Sequence, residues 1–397
     1  MRVAMQNWSS RRVGGVETYA SLMLAGLHTR GHELAFWAEC DEPADRPPIP
    51  VPASTPTWTA SDVTELRAWK PDVLLANGYL DPRLEEAALE VAPAILVAHS
   101  YYGSCISGTK CTAFPQPRPC DRRFGPGCLV NYLPRRCGGL NPLTMWRMYR
   151  AQRARQALLG RYRAVVVLSE HMREEFLRHD LQPERVVLIP PAVAEPIATA
   201  ADTVQWPPAE YRLVMASRCD HIKGGAVLLE ALPEITRRLG RPVLLEILGD
   251  GPERPRWERT SRELQRRHSG LRVSFAGWVS PAEVETVYRR SHLLVVPSLL
   301  PEPFGLVGLE AARHAVPAAA FDAGGIRDWL HDGVNGRLAP ADPPTARGLA
   351  DAISECLADG ERYRQMCAAA RATAERFSTA DPAAALETVL ATAARTK

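Results

Sequence analysis

The sequence predicts an α/β protein of two doubly wound, parallel-sheet domains facing one another across a cleft, and three observations predict it. Short apolar strands alternate with amphipathic helices along almost the whole chain, the pattern of parallel sheets covered on both faces. That alternation stops in the Pro-rich, polar stretch "PPAVAEP" to Pro208 and then starts again. Finally, 397 residues with 46% hydrophobic and 23% charged side chains can bury two ordinary cores.

In order, "RVAMQN" reads as a buried strand, and "GGVETYASLMLAGLHTRG" spaces Val16, Tyr19, Leu22, Met23 and Leu27 as a helix that Gly31 closes. "ELAFWAE" is the next strand, followed by a Pro-rich loop. The helix "SDVTELRAWK", strand "DVLLAN", helix "RLEEAALEVA" and strand "AILVAHS" come next. Residues 103–143 have no clean period and many Gly, Pro and Cys, so they read as an irregular insertion. A helix over 144–160, strand "AVVVLS", helix "EHMREEFLRH" and strand "RVVLIP" complete a first domain, residues 1–192.

The second domain, 209–377, restarts with strand "RLVMAS" and helix 224–239. Strand "PVLLEILG", helix 253–267, strand "LRVSFAG", helix 281–290 and strand "HLLVVPS" follow. A helix over 305–314, strand "VPAAAF", helix "GIRDWLHD" and a short strand near "NGRLAP" end the alternation. The chain ends in a tail, residues 378–397.

No apolar run reaches the ~20 residues a membrane span needs, and "MRVAMQNW" lacks the apolar block of a signal peptide, so a soluble, cytoplasmic protein is expected. The net charge of +3 hides an asymmetry, because residues 110–163 hold eleven arginines and Lys110 against the single acid Asp121. The same region holds Cys105, Cys111, Cys120, Cys128 and Cys137, five of nine cysteines, separated by five, eight, seven and eight residues. The C-x2-C pairs usual at zinc sites are missing, and three choices stand: ligands of a structural zinc that staples the insertion, a lone reactive thiol among them, or reduced thiols packed as small hydrophobes. The basic stretch, Arg122 and Arg123 among its members, favours an anionic acceptor. Its arginines are interrupted by Pro and Gly and lack the aromatic and leucine face of an interfacial helix, which argues against membrane attachment.

Ligands of doubly wound folds sit at the carboxyl ends of the strands, so the loops there carry the chemistry. In "PEPFGLVGLE", Glu302 lies in the loop after a strand, Gly305 allows a close turn, and Glu310 falls in the helix that follows. The amides of Phe304, Gly305 and Leu306 at that helix start suit an anion, and two carboxylates beside it suit hydroxyls of sugars. "ASRCDHIKGG" puts Arg218 and Lys223 after the first strand of the second half, where they can neutralise a diphosphate. Gly14 and Gly15 after the first strand offer further amides at a helix start.

These stretches, with "VAHS", "LGDGPER", "GWVSPAEVETVYRRSHLLVVPS", "AGGIRDWLHDGVNGRL" and "ERFSTADPAAALETVL", resemble the retaining glycosyltransferases of family 4, which have the GT-B fold of two Rossmann-like domains. The resemblance runs along nearly the whole chain, and the Glu-x7-Glu spacing of Glu302 and Glu310 is specific. It implies that Gly15 approaches the donor diphosphate while Arg218 and Lys223 hold it. Glu310 then binds the nucleotide ribose, Glu302 the donor sugar, with Phe304, Gly305 and Leu306 lining it. Leu248, Gly249, Trp278 and Val279 stand where the family binds the base, and His99 beside the reacting sugar. The final helix is expected to cross back to the first domain. Asn77 stands where many members have a histidine.

The implied reaction moves a sugar from a UDP- or GDP-sugar to a small acceptor or glycan precursor with retention. Arg218, Lys223 and the helix amides meet the charge on the departing phosphate, so no cofactor or metal is required for catalysis. A non-catalytic nucleotide-sugar binder, or another GT-B enzyme such as an epimerase or phosphorylase, is the alternative. No nucleic-acid partner is expected. The donor base, the sugar, the acceptor and the oligomeric state are not readable from the residues.

Overall fold

The computed structural model describes residues 1–197 and 206–395, and all counts below refer to these. The chain divides into two compact units. The first comprises Met1–Lys110, Asp121–Pro191 and the C-terminal segment from Asp381; the second comprises Cys111–Cys120 and the chain between Ala192 and Ala380. Part of the expected linker, residues 198–205, lies outside the described residues.

The first unit begins with β1 (Arg2–Ser9), α1 (Gly15–Thr29), β2 (Glu33–Cys40), β3 (Thr57–Thr59), α2 (Thr64–Trp69), β4 (Val73–Ala76), α3 (Pro82–Leu89) and β5 (Ala94–Ala98). A two-stranded ribbon, β6 (Cys111–Thr112) and β7 (Arg118–Pro119), belongs to the second unit. The chain returns through α4 (Gly127–Arg135), α5 (Pro142–Leu159), β8 (Ala164–Val167), α6 (Glu170–Arg178) and β9 (Val186–Leu188). The sheet order β3-β2-β1-β4-β5-β8-β9 is parallel throughout, and its strands are apolar because both faces are covered. Local sequence starts the helices: Asp81 accepts from the Arg83 amide, Asn141 from Leu143 and Thr144 just ahead of Pro142, and Ser169 from Met172.

The last helix, α13 in chain order (Pro382–Arg395), packs in this first unit against α1. Leu386 and Leu390 are buried, and Gly26 comes so close to Ala383 that a Cβ there would lie 2.5 Å from the alanine's methyl. Arg30 pairs with Asp381 and Glu387, and His32 contacts Glu387 at 2.9 Å.

The second unit runs β10 (Tyr211–Ala216), α7 (Gly225–Leu239), β11 (Val243–Leu248), α8 (Arg254–Arg267), β12 (Leu271–Gly277), α9 (Pro281–Arg290), β13 (Leu293–Val296), α10 (Val307–Ala312), β14 (Ala318–Phe321), β15 (Gly336–Ala339), α11 (Ala346–Leu357) and α12 (Gly360–Ser378). Its parallel sheet has the order β12-β11-β10-β13-β14-β15. In both sheets the chain winds outward from one strand and then reverses, at β1/β4 and at β10/β13. Such reversals open a crevice at the strands' carboxyl ends.

Three expected elements differ. The insertion contains α4, whose apolar spacing is obscured by Pro134 inside it. The helix expected over 305–314 shortens to Val307–Ala312, since Gly305 has φ +89°. "GIRDWLHD" makes only one tight turn, Gly325–Asp328, so that Trp329 can turn inward, where it is 2% exposed.

The insertion is fastened by charge. Lys110 and Glu175, each with a side chain 2% exposed, form an ion pair at 2.5 Å, and Lys110 also donates to the Arg122 carbonyl. Burial raises the Glu175 pKa, and Lys110 pulls it back. His179 donates through Nδ1 to the Glu175 carbonyl and accepts the Phe124 amide at Nε2. Glu175→Met should therefore destabilise the first unit by about 3–5 kcal/mol by leaving a buried cation uncompensated, whereas Glu175→Met with Lys110→Met should lose clearly less than the losses of the single variants Glu175→Met and Lys110→Met added. Urea unfolding of the four proteins measures the coupling, and additive losses would show that the pair is not a unit.

Candidate active site

The second unit assembles most of the predicted donor residues along one sheet edge. Adjacent strands deliver Trp278 after β12, Gly249 after β11, Arg218 and Lys223 after β10, and Glu302 after β13. The loops are knitted together by backbone. The Leu299 amide donates to the Ile222 carbonyl at 2.8 Å, and the Cys219 amide to the Asp250 carbonyl at 2.9 Å. Gly224, at φ +72°, presses so close to the Pro297 carbonyl that a Cβ would fall 1.7 Å from its oxygen. The loops after β10 and β13 can thus close on each other only with glycine there.

The result is a contact that the sequence does not show. Lys223 Nζ donates to Glu302 Oε1 at 2.6 Å, and the Ser298 hydroxyl donates to the same oxygen. Glu302 is 7% exposed and sits at the reversal between β10 and β13. Its backbone is set by the turn after β14: Glu302 N donates to the Ala323 carbonyl, and Gly325 N to the Glu302 carbonyl at 2.7 Å. Gly324 lies directly against this backbone, at φ +71°, where a Cβ would come within 2.4 Å of the Glu302 oxygen. Ser298 and Gly324 are site-forming residues that reading along the chain does not single out. Only the quoted "AGGIRD" hints at the second.

Glu310, on α10, is half-buried, and burial raises its pKa; Arg313 and then Tyr288 pull it back. Among the described residues the amides of Phe304, Gly305 and Leu306 meet no protein acceptor, and Arg218 is exposed without a carboxylate partner. Phe304 offers only backbone, because its ring is 2% exposed against Phe377. Its carbonyl accepts the Trp329 indole N–H at 2.8 Å, and the Trp329 ring fills the space beside Gly308, where a Cβ would be 2.3 Å away. Leu248 is buried, Gly249 donates to the Gly277 carbonyl at 2.7 Å, and Trp278 is 39% exposed beside Val279.

The first unit holds the remaining residues. Gly15 is exposed at the start of α1, but the Gly14 amide already donates to the Glu17 carboxylate at 2.7 Å. That carboxylate, which also accepts from the Trp8 indole at 2.9 Å, occupies the helix start expected to be open. His99 follows β5, edge-on to Tyr19 with ring centroids 5.0 Å apart. Asn77 donates through Nδ2 to the Gln6 carbonyl at 3.2 Å, so its oxygen faces His99 Nε2, 2.9 Å away, as the acceptor. This network makes Nε2 the protonated nitrogen and leaves the Nδ1 lone pair available. Gln6 Oε1, Asn7 Oδ1 and the Tyr19 hydroxyl are buried with no protein partner among the described residues, an unspent polar lining at the end of β1.

Arg122 and Arg123 are exposed, but Arg123 pairs with Asp180. All nine cysteines stand as thiols. Cys105, Cys128 and Cys137 lie in the first unit, and Cys111 and Cys120 in the second. The Cys111 thiol donates to the Leu299 carbonyl at 3.2 Å. Among the described residues no three His, Cys, Asp or Glu side chains gather as metal ligands would.

Burial pulls the His99 pKa down to about 3, so the ring is neutral at ordinary pH. The unfolded chain, with His near ~6.5, binds the extra proton first; the stability linked to His99 is complete above that pH and is lost as pH falls toward about 3. Asn77→Asp should raise the pKa by setting a carboxylate against Nε2. Ring-proton NMR titration measures it, and an unmoved pKa would break the assigned contact.

Two family models match the chain. Residues 13–195 match Glycosyltransferase Family 4, and residues 210–359 match Glycosyl transferases group 1. A D-inositol 3-phosphate glycosyltransferase of Xylanimonas cellulosilytica is 34% identical over 185 residues, 46% of this chain and 42% of the relative. The phosphatidyl-myo-inositol mannosyltransferase of Mycobacterium tuberculosis is 26% identical over 387 residues, 92% of this chain and 89% of that one. This chain spans about half the length of the inositol 3-phosphate enzymes it matches. Among solved structures, sucrose-phosphate synthase from Thermosynechococcus elongatus superposes with a TM-score of 0.71 at 19% identity over 98% of each chain. Anabaena HepE in complex with UDP and glucose does so at 0.68 and 18% identity, over 99% of this chain and 100% of that one.

Proposed function

The chain belongs to glycosyltransferase family 4 and has the GT-B fold, and from that premise we propose that it moves a sugar with retention from a nucleoside diphosphate donor to an acceptor bearing an anionic group. One observation carries the donor half. Unpaired amides, an unpaired arginine and a Lys-carboxylate contact share the carboxyl edge of one sheet, at the reversal of its winding. An anion fits the amides of residues 304–306 and Arg218, and hydroxyls fit the remaining oxygens of Glu302 and Glu310. UDP and glucose are named with the HepE structure, which supports a nucleotide sugar.

In the proposed step the anomeric carbon–oxygen bond to the phosphate breaks, its electron pair leaving with the phosphate. A bond forms from the acceptor oxygen to the same carbon, and the acceptor's proton passes to the departing phosphate oxygen. Proton transfer to the leaving group brings the acceptor to the face it vacates, which preserves the anomeric configuration. Charge on the phosphate grows toward the transition state, so Lys223 and Arg218 stabilise that state more than the ground state. Lys223 starts from Glu302, so donor phosphate must share or displace this contact. His99, neutral with Nδ1 available, serves as an orienting acceptor. The relatives named for inositol 3-phosphate and phosphatidyl-myo-inositol support a phosphorylated polyol as the acceptor class.

Glu302→Gln should cut turnover about tenfold to hundredfold while leaving nucleoside diphosphate affinity unchanged or tighter, since Lys223 is released. Glu310→Ala should weaken that affinity by a similar factor. Calorimetry with UDP and GDP, together with assays pairing UDP- or GDP-sugars with inositol phosphate or inositol, tests both halves. An inverted anomer in the product, read by NMR, would overturn retention. Equal turnover on inositol and its phosphate would overturn the anionic acceptor.

A further inference from the structure

The insertion of the first unit presents an outer surface that a helix pair in water does not need. Inward, α4 and α5 close on Phe124 and Tyr132, with Met145, Met148 and Tyr149 facing the same small core. The opposite face would ordinarily be polar. Instead Val130 is 75% exposed, Leu140 63%, Leu143 71% and Trp146 51%, all within one helical hairpin. On α5 the spacing of Leu143, Trp146, Arg147, Arg150 and Arg153 places them along one stripe, the apolar pair at its amino-terminal end.

The arginines of this stretch divide by partner. Arg118 pairs with Asp342, Arg123 with Asp180, and Arg155 donates to the Tyr79 and Leu80 carbonyls. Arg135, Arg147, Arg150 and Arg153 have no carboxylate partner among the described residues, although elsewhere arginines such as Arg237 and Arg238 share Glu234. Three of these, Arg147, Arg150 and Arg153, share α5 with the exposed Leu143 and Trp146. The leucine and aromatic face that is missing from the order of residues along the chain is present on the folded hairpin. It is obscured along the chain because α5 is apolar on its inner face as well, so no single stripe stands out.

We propose that the α4–α5 hairpin docks on an anionic lipid bilayer surface. Leu143, Leu140 and Val130 would enter the boundary of the acyl region, Trp146 would sit at headgroup level, and the arginines would lie over anionic headgroups with their alkyl stems along the apolar patch. Charge complementarity selects this occupant. A second copy docked face to face would oppose the same unpaired arginines, and a soluble anion would leave the apolar groups in water. The inference is independent of the transfer reaction, because none of these residues belongs to the donor or acceptor groups assigned above.

Flotation of the full chain with vesicles tests it, using phosphatidylcholine alone and phosphatidylcholine mixed with phosphatidylglycerol. Binding is expected only to the anionic vesicles and should weaken as salt rises. Arg147→Glu with Arg150→Glu should lower the lipid partition coefficient at least about tenfold, since each basic residue near such a surface contributes ~1 kcal/mol. Leu143→Ser with Trp146→Ser should lower it by a similar factor while donor hydrolysis in solution stays at the wild-type rate, which also shows that the variant is folded. No flotation at low salt would overturn the proposal, as would a Leu143/Trp146 variant that floats like wild type or equal partitioning to neutral vesicles. Binding of duplex DNA as tight as that of vesicles, and insensitive to the Leu143/Trp146 change, would also overturn it by assigning the surface to charge alone. A wild-type dimer that the Leu143/Trp146 change dissolves, with flotation unaffected, would assign it to self-association.

Discussion

The contact of Lys223 with Glu302 is the constraint around which the strand-end loops of the second unit are organised. A cation and a carboxylate from two loops meet because β10 and β13 are neighbours at the point where the sheet reverses its winding. The loops can approach only where backbone replaces side chain, and that is the role of Gly224 against Pro297 and of Gly324 against Glu302. The pair also keeps each charge satisfied in a largely buried place.

Behind this pair stands a packing device rather than an electrostatic one. Trp329 fills the space beside Gly308 and donates to the Phe304 carbonyl, which fixes the turn preceding α10. With that carbonyl taken and the Phe304 ring turned inward, the polarity left at the turn is donor only. Such a surface is positive in potential without any side-chain charge of its own, and Arg218 and Lys223 follow the neighbouring strand β10.

The first unit uses polar groups in three different ways. Buried, Lys110 and Glu175 fasten the insertion to α6. At the strand ends, Asn77 turns His99 and fixes its tautomer, while the partnerless oxygens of Gln6, Asn7 and Tyr19 leave polar capacity beside β1. On the outside, arginines without acids flank exposed apolar groups. A run of eleven arginines in sequence therefore separates into structural, paired and surface-facing members, and only their neighbours decide which is which.

The sequence by itself determined the two parallel sheets, since buried strands and amphipathic helices carry opposite periodicities that one-dimensional spacing preserves. It also determined that Glu302, Arg218, Lys223 and His99 follow the carboxyl ends of strands, because the strand bounds are legible in the apolar runs that precede them. Tertiary structure alone decided what those groups do to one another. The partners Lys223 and Glu302 are 79 residues apart and His99 and Asn77 are 22 apart, separations at which no local period survives. It decided, too, that α5 turns Leu143 and Trp146 outward. That outcome depends on which face the surrounding chain covers, and that is a property of packing in three dimensions.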